Sequence, residues 1–70
     1  MDYSFEHNRI QELRQERNLS QRELAAATGI KQANISRWET GTVVPNVLDM
    51  WVLAEFFGVS IDYLVGKEQD

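Results

Sequence analysis

Apolar residues recur three and four positions apart in short runs along the chain, and nearly every run is bounded by a capping residue or a glycine. That pattern predicts five short helices. The first is expected to start after Ser4 as N-cap and to run to about residue 17. Ile10 and Leu13 share its inner face, Phe5 and Arg9 lead in, and Arg9, Glu12, Glu16 and Arg17 lie largely outward. Asn18, which tolerates the left-handed conformation, follows it. Ser20 and Glu23 form the S-x-x-E capping box of the second helix, whose inner side is Leu24, Ala25 and Thr28 and whose stop is Gly29. A third helix is expected at about 32–39, with Ile35 and Trp38 inward and Thr40 and Gly41 ending it. Val43 and Val44 before Pro45 read as extended linker, because the residue preceding proline avoids helix. A fourth helix follows over 46–57, capped by Asn46 and stopped by Gly58, and Ser60 opens a fifth at 61–65, closed by Gly66. No alternating run bounded by hairpin turns occurs, so the expected fold class is all-α.

The fourth helix breaks the one-sided pattern. Nine of its eleven residues from Val47 to Phe57 are apolar, more than a helix on a small domain needs for a single buried face. At about 100° per residue, Val47, Met50, Leu53, Ala54 and Phe57 cluster as the inner face, with Trp51 at its border. Leu48, Val52 and Phe56 then fall on the opposite side. Either the fifth helix or the N-terminal arm with Tyr3 and Phe5 covers that stripe, or it is a contact surface for another protein, extended by Ile61 and Tyr63. The simplest such surface is a two-fold dimer contact.

Composition narrows the classes. Seventy residues allow one small domain, expected here as an arm at 1–8, a globular unit at 9–66 and a polar tail at 67–70. Without cysteine there is no disulfide framework or thiolate metal site, and the single His7 cannot by itself build a metal centre or an acid–base pair. Neither a signal peptide nor a membrane span is legible, so a cytoplasmic module that binds rather than converts is the expectation, with no cofactor and no membrane partner. The net charge of −4 argues at first against a nucleic-acid partner, but it is unevenly spread. Residues 9–41 carry a net +2 and residues 42–70 a net −4, so a polyanion would meet the first half.

The window 21–40, QRELAAATGIKQANISRWET, places a helix, a glycine-bearing turn and a second helix in succession. Such a pair is a helix-turn-helix, whose second helix enters the major groove. Ala25 is small where the helices cross, and Gly29 can take the positive φ of the tight turn. Leu24, Ile30, Ile35 and Trp38 lock the helices together, which leaves Gln32, Asn34, Ser36 and Arg37 outside. Arg37 offers the planar fork that matches guanine O6 and N7, Gln32 can match adenine N6 and N7, and Ala33 can touch a thymine methyl. Arg22, Lys31, Arg9 and Arg17 are candidate phosphate neighbours that rank lower, since charge on an amphipathic surface usually serves only solubility.

The stretch LSQRELAAATGIKQANISRWETGTVVPN, followed by LAEFFGVSIDYLVG, resembles the Cro/CI-type phage repressor-like helix-turn-helix family, also called XRE. The likeness covers residues 9–66. It implies a compact five-helix lambda-repressor-like domain that binds double-stranded operator DNA as a homodimer, with the third helix in the major groove. It implies Gln32, Ala33, Ser36 and Arg37 as base readers and Gln21 as a phosphate contact; Arg22, Lys31 and Asn34 are expected beside the DNA backbone on their own chemistry and position, not from the resemblance. It also implies a structural pair between Arg14 and Glu39.

Two features depart from that family. The linker at 42–45 is TVVP, where relatives often carry basic residues, and the whole chain is acidic. Both mean fewer phosphate contacts, and they make dimerisation more necessary. The leading expectation is a sequence-specific transcription regulator, a repressor acting by occupancy of a pseudo-palindromic operator. The alternative is an antitoxin-like interaction module on the same scaffold, whose acidic second half meets a protein antagonist or partner. An enzyme is not expected, because no nucleophile–base set, metal cluster or phosphate loop is present.

Overall fold

A computed structural model describes Phe5 and residues 8–67. Five helices follow one another: α1 (Ile10–Glu16), α2 (Gln21–Thr28), α3 (Gln32–Glu39), α4 (Val47–Phe57) and α5 (Ile61–Leu64), with no strand among the described residues. Ten residues from all five helices and the α2–α3 turn form the core, and Ile10, Leu24, Ile35, Leu53 and Leu64 are fully enclosed. The densest helix pairings are α2 with α3 and α4 with α5.

Most boundaries have local causes. Ser20 and Glu23 close both hydrogen bonds of the capping box at the start of α2. Asn46 and Ser60 accept the Asp49 and Tyr63 amides and so cap α4 and α5. Asn18 takes φ 57°, the only positive φ outside glycine among the described residues, and turns the chain out of α1. Gly29 at φ 77° does the same between α2 and α3. Thr28 reinforces that turn, since its hydroxyl donates to the Leu24 carbonyl at 2.8 Å and accepts the Ile30 amide at 3.3 Å.

The start of α1 differs from the sequence expectation. The helix begins at Ile10 rather than after Ser4, which lies outside the described residues, as do Tyr3 and His7. Asn8 sets the boundary, because its Oδ1 accepts the Ile10 amide at 3.0 Å while its Nδ2 donates to the Trp38 carbonyl at 2.9 Å. The Arg9 amide donates to the Leu64 carbonyl at 2.8 Å, an anchor that a helix running through residue 9 could not make.

The orientation of α4 differs too. Met50, Leu53, Ala54 and Phe57 face inward as expected, but Val47 does not, and Trp51, expected at the border of that face, is exposed with it. They are 74% and 58% exposed. Val52 and Phe56, expected on the outer side, are half-buried against the core. The cause is how α4 is flanked. Its covered arc runs from Val52 through Leu53 to Ala54, and the open arc left over is Val47, Leu48, Trp51 and Glu55. Arg17 helps hold this orientation. Its guanidinium donates to the Phe56 and Phe57 carbonyls at 3.0 Å each and lies 5.3 and 5.4 Å from the two ring centres, closing the C-terminus of α4. Among the described residues no helix is long and apolar enough to cross a membrane.

Candidate nucleic-acid interface

The outward side of α3 is built by what its inward side buries. Ile35 and Trp38 enter the core, so the positions between them must face away. Gln32, Ala33 and Arg37 are exposed, and Asn34 and Ser36 are half-buried at the edge. Arg37 is steered along the helix by its neighbour one turn back, since its Nη1 donates to Asn34 Oδ1 at 3.3 Å. Lys31, in extended conformation just before α3, is exposed, and so is Arg22 in the first turn of α2. These residues come from two adjoining elements held at a fixed angle by the turn at Gly29.

Beneath that surface lies a polar knot. Arg14 Nε donates to Glu39 Oε2 at 2.6 Å and Arg14 Nη2 to Glu39 Oε1 at 3.1 Å, a bidentate pair whose side chains are 11% and 3% exposed. The same Glu39 Oε1 accepts from Gln21 Nε2 at 3.0 Å, and Arg14 Nη1 reaches the Leu19 carbonyl at 2.7 Å. One carboxylate therefore ties the first, second and third helices together. The hydrogen bond that Arg14 donates to Glu39 raises the Arg14 pKa above the ordinary arginine value, burial opposes the shift, and Coulombic attraction to Glu39 adds to it. Gln21 sits in this knot rather than standing alone at the start of α2.

The structure separates other expected sites. Arg9 and Arg17 face the α4–α5 end of the molecule instead of the α2–α3 surface. Arg9 stacks 4.1 Å over the Tyr63 ring and donates to the Tyr63 carbonyl at 2.7 Å, and Arg17 closes α4 as described. Leu48, Val52 and Phe56 do share a groove, with Ala27, Thr28, Trp51 and Glu55 completing its walls. Tyr63 does not join it, lining instead a second cleft with Leu13, Arg17 and Val59. Ile61 is exposed and outside the groove lining. Sequence reasoning missed Asn8 and its bridge to α3. An asparagine shortly before an apolar run is the only local signal it gave. Among the described residues no group of three or more His, Asp or Glu comes together as a metal site.

Residues 10–64 match the family model described as helix-turn-helix. The HTH-type transcriptional activator BcrR of Enterococcus faecalis is 35% identical over 63 residues, covering 90% of this chain and 31% of that protein. The cryptic phage CTXphi transcriptional repressor RstR of Vibrio cholerae is 36% identical over 62 residues, covering 89% of this chain and 56% of that protein. The chain thus spans less than two thirds of the length of either relative. No solved structure matches it.

Proposed function

The chain belongs to the helix-turn-helix family, and from that premise we propose that it is a sequence-specific DNA-binding transcription regulator. It acts in the cytoplasm as a repressor that occupies a pseudo-palindromic operator as a homodimer. The observation that carries this reading is the outer side of α3, where Gln32, Ala33 and Arg37 stand exposed in succession on a helix anchored by Ile35 and Trp38. Arg37 reads guanine through its two parallel donors, Gln32 reads adenine, Ala33 meets a thymine methyl and Ser36 adds a single hydrogen bond. Gln21, held by Glu39 through one amide N–H, offers its other N–H to a phosphate. Arg22, Lys31 and Asn34 flank the backbone and fix register without reading sequence.

Occupancy needs no chemistry from the chain. Two third helices about one turn of DNA apart, roughly 34 Å, read two half-sites, and the bound dimer blocks polymerase where operator and promoter overlap. Repression is preferred over activation because, of the two relatives, the repressor is the one whose own length the chain covers further.

Selection of bound duplexes from a random pool, using the full chain, tests this. The expected product is a set of two-fold related half-sites. A pool that stays random after repeated rounds, with equal affinity for every duplex, would overturn the reading.

A further inference from the structure

Arg14 and Arg37 are held in the same way, and only one of them has its target in place. In Arg14, Nη1 donates to a carbonyl oxygen, that of Leu19, at 2.7 Å. The opposite edge of the guanidinium, Nε and Nη2, then grips both oxygens of Glu39 at 2.6 and 3.1 Å. In Arg37, Nη1 donates to another carbonyl oxygen, the side-chain Oδ1 of Asn34, at 3.3 Å. Among the described residues nothing bonds its Nε–Nη2 edge, and the side chain is exposed. A guanidinium is rigid and planar, so fixing one nitrogen restricts where the opposite edge points.

We infer that Asn34 is a positioning residue for base reading: its Oδ1 pins Arg37 Nη1, so that the Nε–Nη2 fork is the edge presented to guanine O6 and N7. This rests on the proposed reading of guanine by Arg37 and adds the group that orients it. Asn34 itself reads no base.

The chemistry of the pair fixes its direction. A guanidinium has donors only, so the Asn34 amide must turn its oxygen toward Arg37 and its NH₂ away. The two N–H groups are left for the DNA backbone, and one side chain then ties the phosphate position to the direction of the fork. Asn34 is also the firmer partner. It is half-buried in the first turn of α3, and its backbone amide donates to the Lys31 carbonyl at 3.0 Å. The two residues are three apart on one helix, so the pin needs no tertiary contact. An unpinned arginine loses its rotamer freedom only on binding, whereas a pinned one has lost part of it beforehand, in one direction. The 3.3 Å bond is longer than the one on Arg14 Nη1, so it biases the fork without freezing it. The gain in discrimination is therefore about two- to tenfold, the span for ordering one rotamer-rich side chain.

Selection from a random duplex pool, run in parallel on the full wild-type chain, Asn34→Ala, Asn34→Asp and Arg37→Ala, tests this. Asn34→Ala should relax preference by about two- to tenfold at the same base pair of each half-site that Arg37→Ala relaxes, and at no other. Asn34→Asp keeps an oxygen at the pinning position. It should retain that preference while binding all duplexes more weakly, because a carboxylate replaces the amide beside phosphate. On an Arg37→Ala background, Asn34→Ala should change base preference no further. Without DNA, ¹⁵N relaxation should show a lower order parameter for the Arg37 Nε–H in Asn34→Ala than in wild type. Circular dichroism should report an unchanged fold, since alanine suits a helix and the Asn34 side chain bonds no other element. An Asn34→Ala chain with wild-type base preference, with equal loss on every duplex, or with an equally ordered Arg37 would overturn the inference and leave the proposed function standing. A wild-type pool that stays random would overturn both.

Discussion

Glu39 is where three helices converge, and its removal separates structural from DNA-reading roles. Glu39→Ala leaves the Arg14 guanidinium enclosed without its carboxylate and releases the Gln21 amide. Breaking a buried pair from one side costs about 3 kcal/mol, which for a domain this small is about 10 °C or more of melting temperature. Thermal unfolding followed by circular dichroism should show that drop. Because the folded-state pKa of Arg14 is raised, its share of this stability is complete below the ordinary arginine value and fades only as pH climbs through the raised one. Arg37 belongs to the opposite category. It is exposed and touches only Asn34, so Arg37→Ala should leave melting unchanged while costing about 1–3 kcal/mol on the best operator and relaxing preference at one base pair per half-site. Equal losses on specific and random duplexes would show that it contacts phosphate alone.

At the scale of elements, the angle between α2 and α3 depends on a backbone conformation. A methyl added at Gly29 meets no atom within 4 Å, so crowding is not the issue. Its φ of 77° is what an alanine resists. Gly29→Ala should therefore destabilise by about 1–2 kcal/mol through conformation alone, and Gly29→Asn by less, as read from urea unfolding. α4 follows a different logic. Its C-terminus is closed by glycine and by the Arg17 side chain from the far end of α1, so α1 and α4 are coupled at a point that neither helix announces in its own sequence.

For the molecule as a whole, charge is partitioned by sequence and then again by folding. Residues 9–41 hold six basic side chains, but Arg14 is enclosed with Glu39, and Arg9 and Arg17 face the α4–α5 end. Arg22, Lys31 and Arg37 remain exposed on the α2–α3 surface proposed to meet DNA. With about two phosphates neutralised per protomer, log affinity against log salt should fall for a dimer with a slope of about −4. Titrations of the selected operator at several salt concentrations measure it. A slope of about −7 would mean that Arg9 and Arg17 leave their aromatic partners for the backbone.

Much of this fold is legible without coordinates because its punctuation is local. The capping box joins Ser20 to Glu23, Asn46 caps Asp49, Ser60 caps Tyr63, and Asn18, Gly29 and Gly58 turn the chain where they stand. Each of those arrangements closes within about four residues, so short-range sequence specifies it. The side chains left outward on the third helix followed by the same reasoning, since Ile35 and Trp38 had to go inward. What tertiary structure alone decided involves partners far apart in the chain. Asn8 reaches Trp38, Arg9 reaches Tyr63, Arg17 reaches Phe56 and Phe57, and Gln21 shares Glu39 with Arg14. The clearest case is α4. With nine apolar residues in eleven, its sequence carries almost no directional preference, and packing against α2 and α5 chose which arc to bury and which to leave exposed.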